Sequence, residues 1–240
     1  MQNIILENLL LIDIETVSSA SRHEHLTDEW KEIWKEKISR LLPDGVSPEE
    51  FYPMRAAILA EFGKVVCISI GYFKKENHSW QLKLKSFHGK NEKELLTEFN
   101  KLFRQSPSDK QWCFTGHNIK EFDIPFLCRR MIINNIEIPS SLDFQNMKPW
   151  ETPVIDTLHL WRFGDYKHYI SLNLLAAVLN VPSPKTDMDG SKVGGVFWEE
   201  DDLTRISRYC QQDVATVANI ILRFKNLPLL TSGQIISVNI

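Results

Sequence analysis

The chain has 240 residues, of which 43% are hydrophobic, and this is enough apolar material for one large domain with a substantial core. Its formal net charge of −3 argues against a broad basic surface for duplex nucleic acid. The four cysteines form no C-x-x-C pair, which indicates neither a zinc site nor a disulfide framework. The longest apolar runs fall far short of the ~20 residues of a membrane span, and no signal peptide is present, so we expect a cytoplasmic protein without a membrane partner.

The first predicted strand is an apolar run that ends in carboxylates, Leu9-Leu10-Leu11-Ile12-Asp13-Ile14-Glu15-Thr16. A helical insert is expected to follow at about residues 20–60. Its first helix is predicted by apolar residues at helical spacing, namely Trp30, Ile33, Trp34, Ile38, Leu41 and Leu42. Its second helix is expected to begin at Ser47, because Pro48 suits the first turn and Glu50 is positioned for a capping box.

The remainder of the chain predicts an early hairpin and then alternating helices and strands. Residues 64–73 and the alternating segment at 80–84 are typical of two antiparallel strands joined by a turn at 76–79. The next predicted elements are helix 91–104, strand 112–114, a helix near Pro125, strand 154–156, helix 171–180 and a long C-terminal helix. This order predicts the α/β class, with a mixed β-sheet flanked by helices on both faces, in a single domain over residues 1–240.

The end of the first strand is the first candidate for chemistry. Side chains alternate along a strand, so Asp13 and Glu15 share one face. Two like charges beside a core are costly to bury, and a bound cation would remove that cost. The alternative is a strand end that has reached solvent, and D-x-E by itself favours that alternative.

Two later segments each add a carboxylate. Asp123 lies at a predicted strand-to-helix junction, where capping of the helix would by itself explain an acidic residue. In the C-terminal helix, Tyr209 and Asp213 are four residues apart and therefore lie on one face. The neighbours on that face are apolar, and an aspartate in such a place has few explanations, of which metal binding is one.

Taken together, the three segments resemble the motifs of the DEDD superfamily of 3′–5′ exonucleases, which includes proofreading domains of DNA polymerases and RNase D-like enzymes. The matching patterns are D-x-E at Asp13, N-x-x-x-F-D from Asn118 to Asp123, and Y-x-x-x-D from Tyr209 to Asp213. Tyr209 matches the tyrosine subclass, because Arg208 stands where the histidine subclass has its histidine.

Residues between the second and third motifs extend the resemblance. The segment from Ser171 to Leu175 is similar to the S/T-L-x-x-hydrophobic motif of family B polymerase exonucleases, and the segment from Lys185 to Met188 is similar to their K-x-x-hydrophobic motif. Residues 163–167 and 187–193 resemble a bacterial family of predicted exonucleases related to those domains. The similarity runs from Leu10 to about Arg223, and no polymerase segment follows. The resemblance therefore implies a free-standing nuclease with a ribonuclease H-like fold.

The resemblance also implies roles for individual residues. The carboxylates of Asp13, Glu15, Asp123 and Asp213 would bind two Mg²⁺ or Mn²⁺ ions, which prefer oxygen ligands. Tyr209 would orient the attacking water, and Lys185 would assist at the phosphate. The 3′-terminal nucleotides of a single strand would be held by a further group of residues, Thr16, Asn118, Phe122, Ser171 and Leu172. The expected reaction releases nucleoside 5′-monophosphates from the 3′ end, with DNA as the favoured substrate.

Two other functions remain open at this point: an enzyme that trims RNA 3′ ends, and a ribonuclease H-like module that binds nucleic acid without cutting it. A decayed site would usually lack one of the carboxylates or Tyr209, and this sequence retains them all. Asp156 is interpreted as a supporting carboxylate. The basic and aromatic segment at 148–169 fits equally a groove for a single strand or a helix and loop packed on the sheet. The sequence identifies no protein partner.

Overall fold

The computed structural model of the protein describes residues 4–105, 112–148, 150–182 and 188–238, which form a central β-sheet with flanking helices. Within these residues the strands are β1 (Leu9–Ser18), β2 (Gly63–Glu76), β3 (Ser79–His88), β4 (Cys113–Gly116), β5 (Val154–Asp156) and β6 (Ile235–Ser237). Their order across the sheet is β5-β4-β1-β2-β3-β6. The pairs β1–β2 and β2–β3 are antiparallel, whereas β1–β4, β4–β5 and β3–β6 are parallel, so the sheet is mixed.

The predicted helices are present in the predicted order, and two short helices that were not predicted, Thr157–Arg162 and Val193–Gly195, lie among them. The helices are α1 (Asp28–Ile38), α2 (Pro48–Arg55), α3 (Glu92–Gln105), α4 (Asp123–Ile133), α5 (Thr157–Arg162), α6 (Leu172–Val178), α7 (Val193–Gly195) and α8 (Leu203–Phe224). The predicted hairpin is present, and its turn residues Asn77 and His78 have positive φ angles. Strand β6 was not predicted, and α1 ends at Ile38 instead of reaching Leu42. Among the described residues no helix combines the length and hydrophobicity needed to cross a membrane.

The segment between β1 and β2 is the predicted helical insert. The capping box at the start of α2 is confirmed, because the Glu50 amide donates to Ser47 Oγ and the Ser47 amide donates to Glu50 Oε2. A separate cluster of buried side chains, with Trp34, Tyr52 and Phe62 at its centre, holds α1 and α2 together. The insert thus has its own small core beside the sheet.

Each face of the sheet is covered by helices. On one face Leu10, Ile12 and Ile14 pack into a core to which α3 and α4 contribute, and on the other Leu9 and Leu11 pack against α8. This alternation along β1 is the period of two that a strand imposes on its side chains. The mixed sheet with flanking helices confirms the predicted α/β class and the ribonuclease H-like arrangement. It also places the face that carries Asp13 and Glu15 opposite α8.

Candidate active site

Strand β1 brings two carboxylates to the α8 face of the sheet. Asp13 and Glu15 lie opposite Ser69 and Cys67 of β2, and the register shifts between Glu15 and Thr16. Glu15 is 7% exposed, so its carboxylate is buried. The predicted alternative, a strand end that has reached solvent, is therefore not what the structure shows.

The sulfur of Cys210 on α8 lies in the same cluster. Cys210 Sγ and one carboxylate oxygen each of Asp13 and Glu15 are all within 4.8 Å of one another. The thiol donates to the backbone carbonyl of Asp13 at 3.3 Å, and burial raises the pKa of the thiol well above its ordinary value. A neutral thiol is a poor ligand for cations that prefer oxygen, so Cys210 mainly fixes α8 against β1. The sequence analysis missed this residue, although its position three residues before Asp213 places it on a neighbouring part of the helix surface.

Asp123 reaches β1 from the start of α4. Its Oδ1 accepts a hydrogen bond of 3.1 Å from the amide of Ile14. Strand β4 pairs with β1 only at Leu9–Leu11, so Ile14 lies beyond the end of that pairing and its amide is free for a side chain. Asp123 is 4% exposed and satisfies this buried donor. The carboxylate therefore does more than cap its own helix.

The loop that carries Asn118 and leads to Asp123 is held by Asp156 at the end of β5. Asp156 is 2% exposed and accepts hydrogen bonds from the amides of Asn118, Lys120 and Leu158, at 2.9, 3.1 and 3.0 Å. Asn118 has a φ of +64°, a conformation that asparagine adopts more readily than most residues. These contacts support the interpretation of Asp156 as a carboxylate that positions the loop.

Gly116, at the end of β4, is required where this loop begins. A Cβ atom at this position would lie 2.8 Å from the carbonyl oxygen of Ile12 and 2.0 Å from a methyl group of Ile119. Neither contact is tolerable, because the first is to backbone and the second lies deep inside van der Waals distance. The close approach of β4 to β1 therefore requires a residue without a Cβ atom at position 116.

The last carboxylate, Asp213, lies on α8 beside the phenol of Tyr209, and the two side chains are hydrogen-bonded. Burial raises the pKa of the Tyr209 hydroxyl, and the charges of Asp213 and Glu15 raise it further. The phenol is therefore protonated and acts as the donor to Asp213. This is the arrangement expected for residues four apart on one helix face.

The electrostatics of the cluster are unfavourable without a cation. Burial raises the pKa of Asp13 well above its ordinary value, and the charges of Asp213 and Asp123 raise it further. Burial, followed by the charge of Asp13, does the same for Glu15. Burial raises the pKa of Asp123 to about 7 and that of Asp213 to about 6. The four carboxylates thus repel one another in a desolvated place, which is a common property of functional sites.

One oxygen in this cluster indicates what would relieve the repulsion. Asp13 Oδ2 is buried and has no hydrogen-bond partner among the residues that the structure describes. A buried carboxylate oxygen without a donor costs free energy unless a cation binds it. The donor set consists of carboxylate oxygens, which Mg²⁺ and Mn²⁺ prefer, so the residues present fit these ions.

The residues predicted to hold nucleotides lie in different surroundings. Thr16 is 9% exposed and pairs with Val65, just after the shift in register. Asn118 Oδ1 is buried and has no partner in the described part of the chain. The ring of Phe122 packs against that of Phe126 with centroids 5.3 Å apart. Of these three, Asn118 alone offers an unsatisfied polar atom.

Ser171 and Leu172 lie at the start of α6. Ser171 Oγ accepts a hydrogen bond from the amide of Leu174 and so caps the helix, while Leu172 packs against neighbouring apolar side chains. The carbonyl of Ile170 accepts a hydrogen bond of 2.9 Å from His117 Nε2, and this bond ties the start of α6 to the loop before Asp123. Lys185 lies outside the described residues.

These features define a protein with a mixed α/β sheet and a buried acidic site between its first strand and its last long helix. The chain belongs to the family described as predicted 3′–5′ exonuclease related to the exonuclease domain of PolB, whose family model matches residues 58–233. The match includes Asn118, Asp123, Tyr209 and Asp213 but begins after Asp13 and Glu15, which the fold brings to the same place. The predicted family resemblance is thereby confirmed. No curated protein matches the chain.

Proposed function

We propose that the protein is a metal-dependent 3′–5′ exonuclease of the tyrosine subclass that acts on single-stranded nucleic acid, with DNA as the expected substrate, and releases nucleoside 5′-monophosphates. The observation that carries this proposal is the convergence of four carboxylates and one tyrosine from three distant segments, around an oxygen of Asp13 that has no partner in the described chain. The family match supports the same activity independently.

The four carboxylates, Asp13, Glu15, Asp123 and Asp213, would together hold two Mg²⁺ or Mn²⁺ ions. When bound, two such ions neutralise the scissile phosphate, activate a water molecule and stabilise the leaving 3′-oxygen. Asp13 is central to this arrangement, because its carboxylate is close to that of Glu15 and the charges of Asp123 and Asp213 both raise its pKa. The hydrogen bond from the Ile14 amide would hold Asp123 in a fixed orientation.

The phenol of Tyr209 would orient the attacking water. Its raised pKa excludes a role as a base near neutral pH, because the proton remains on the oxygen. The hydrogen bond to Asp213 fixes the position of the hydroxyl relative to the carboxylates. Lys185, which the sequence resemblance implies at the phosphate, remains part of the proposal.

The 3′-terminal nucleotides would contact the residues around the loop before Asp123. The buried Oδ1 of Asn118 supports this, because a hydroxyl or amino group of a nucleotide would satisfy it. Phe122 would present the free part of its half-buried ring to the terminal base. Thr16, Ser171 and Leu172 would contribute by shaping the surroundings, since Thr16 is buried and Ser171 caps α6.

The direct test follows a 5′-labelled single strand over time in the presence of Mg²⁺ or Mn²⁺. The expected result is a ladder of progressively shorter labelled products that disappears when EDTA is added. Running DNA and RNA of the same sequence in parallel identifies the sugar that the enzyme accepts. Cleavage of a circular strand, or immediate release of the label as a mononucleotide, would contradict the proposal. Binding without any product would instead indicate a non-catalytic module.

A matched pair of variants distinguishes the effect of removing a charge at the site from the effect of removing a charge elsewhere on the protein. Asp13→Asn keeps the shape of the side chain but removes its charge, so it should abolish hydrolysis and most of the increase in melting temperature on addition of Mn²⁺. Asp44→Asn makes the same chemical change at an exposed position and should alter neither property. An active Asp13→Asn variant would be incompatible with the proposed role of this carboxylate.

A further inference from the structure

A loop after α5 displays aromatic rings that the rest of the protein does not cover. Phe163 is 81% exposed, Tyr166 is 77% exposed and Tyr169 is 65% exposed. Large aromatic side chains normally bury most of their surface in a core or an interface. The interpretation that this segment packs on the sheet is therefore wrong for these three rings, and single-strand binding is the interpretation that remains.

The backbone at Phe163 adds a second observation. Phe163 ends α5 with φ +47° and ψ +34°, a left-handed conformation that glycine or asparagine usually provides at the end of a helix. A bulky aromatic residue is disfavoured in this conformation, and an exposed ring recovers no packing energy in compensation. The unfavourable backbone conformation of Phe163 lowers local stability, and no packing of its ring compensates for this loss. Uncompensated backbone strain of this kind is typical of binding sites.

The loop is fixed to the active site despite its exposed rings. Arg162, whose side chain is only 10% exposed, donates to the carbonyl of His168 at 3.3 Å and contacts Glu121 Oε1 at 3.4 Å. Glu121 is two residues before Asp123. The hydrogen bond between His117 and the Ile170 carbonyl holds the other end of the loop to the same region. The loop that carries the aromatic rings is therefore attached at both of its ends to the segment before Asp123.

The position of Tyr169 connects the exposed rings with the carboxylates. Partial burial raises the pKa of its hydroxyl, the charge of Arg162 lowers it, and the charges of Asp156, Asp123 and Glu121 raise it. Tyr169 is the least exposed of the three rings, and it immediately precedes Ile170, whose carbonyl accepts the hydrogen bond from His117 in the loop before Asp123.

We propose that Phe163, Tyr166 and Tyr169 form a base-stacking surface for the single strand whose 3′ end enters the active site. The proposal rests on the proposed exonuclease function and adds the place where upstream nucleotides bind. A base offers an apolar face to an aromatic ring whatever its sequence, and only unpaired bases expose that face. Lys167, which is exposed and lies between Tyr166 and Tyr169 in the chain, supplies positive charge, which suits the phosphates of the same strand on a chain whose net charge is negative.

The test measures the affinity of the full chain carrying Asp13→Asn for a labelled single-stranded decanucleotide in Mg²⁺, with and without Phe163→Ala or Tyr166→Ala. Each loss of a stacked base is expected to weaken binding by roughly 5-fold to 150-fold. A dinucleotide should lose less, because it has fewer bases to stack on the rings. Replacing the bases one at a time by abasic sites should identify a position whose loss weakens binding only while Phe163 is present.

Substitutions at Phe163 itself distinguish stacking from structural support. Phe163→Trp should retain affinity and Phe163→Leu should lose it, although both keep a bulky apolar side chain. Phe163→Gly relieves the left-handed backbone, so it should maintain or raise the melting temperature while affinity falls. Met54→Ala removes another exposed apolar side chain, 68% exposed in the helical insert, and should change nothing.

Failure of the two proposals can be told apart. Absence of a product ladder with the wild-type protein would contradict the exonuclease, whatever the affinities. Unchanged affinity in every variant that removes a ring, equal losses with Phe163→Leu and Phe163→Trp, or no binding of the decanucleotide by the full chain would overturn the stacking surface. A fall in melting temperature with Phe163→Gly would also overturn it, because the ring would then be structural.

Discussion

The carboxylates of the acidic site lie where their charged forms are electrostatically unfavourable. Asp13, Glu15, Asp123 and Asp213 are each pushed toward the protonated form, first by burial and then, for most of them, by one another. One carboxylate in a polar environment would show no such effect. A site of this kind favours any cation that binds carboxylate oxygens, so protons and divalent ions should compete for it.

The first prediction concerns pH. Asp123 and Asp213 have pKa values of about 7 and about 6 in the folded protein, above the ordinary value of 3.8. Between about pH 4 and about pH 7 the folded state therefore binds more protons than the unfolded state, and linkage makes the free energy of unfolding fall as pH rises. In thermal unfolding with EDTA, Asp213→Asn should reduce this loss of stability, whereas Asp44→Asn should not.

The same competition predicts how the metal effect depends on pH. The increase in melting temperature on addition of Mn²⁺ should be larger at about pH 8 than at about pH 5.5, because the metal must displace protons at the lower pH. An increase that is independent of pH in this range would show that Mn²⁺ binds somewhere other than the four carboxylates.

The next prediction separates Tyr209 from Asp213. Tyr209→Phe should lower the rate by ~10²–10⁴-fold through loss of the hydroxyl while leaving Mn²⁺ affinity nearly intact. Asp213→Ala removes a proposed ligand and should reduce both rate and affinity. The measurements are single-turnover hydrolysis and Mn²⁺ titration of the melting temperature. Equal loss of Mn²⁺ binding in the two variants would contradict this division of roles.

At the level of elements, the site depends on how the β4–α4 loop is attached to β1. Gly116 permits the close approach of the strands, Asp123 satisfies the Ile14 amide, and Asp156 holds the loop through backbone amides. None of these contacts requires a metal. Asp123, the proposed ligand, is therefore placed before any ion binds, which would reduce the ordering that metal binding must achieve.

Asp156→Ala tests this support. Three buried or partly buried amides would lose their acceptor, and we expect the free energy of unfolding to fall by about 2–5 kcal/mol. Denaturant unfolding in EDTA measures this loss without any contribution from metal. Hydrolysis should fall as well, because the loop carries Asn118 and leads to Asp123. Asp44→Ala is the surface control, and a stable Asp156→Ala protein would show that the loop is held by other contacts.

At the level of the whole molecule, the fold brings four carboxylates together in a chain whose net charge is already −3. Such a protein has little general attraction for a phosphate backbone, so local contacts must provide most of its affinity. The proposed stacking surface uses apolar contact with bases, which is much less sensitive to salt than contacts with phosphates.

The corresponding prediction is a weak salt dependence of binding. Two or three phosphate contacts to a single strand correspond to a loss of about 10-fold in affinity between 50 and 200 mM salt, far less than the ~10³–10⁵-fold loss for proteins with six to ten contacts. Lys167→Ala should reduce the slope further, whereas Phe163→Ala should weaken binding without changing the slope. A steep slope in the wild-type protein would point to an extended phosphate-binding surface instead.

Local pattern in the sequence was sufficient for the order of the main strands and helices. The apolar run of β1, the capping box of α2 and the helical spacing of α8 depend on neighbouring residues, and the structure contains all three. The family could also be predicted from the sequence, because its motifs are short and keep their order. Strand β6 escaped prediction because three residues are too few to establish a period of two.

Only the tertiary structure decided the surroundings of the predicted residues. The hydrogen bond from the Ile14 amide to Asp123 joins residues 109 positions apart, and the Cys210 thiol meets Asp13 across 197 positions. Exposure of Phe163, Tyr166 and Tyr169 likewise depends on what packs over them and not on their spacing. Periodicity reports which face of an element a side chain occupies, whereas burial, pairing and pKa depend on groups brought near by the fold.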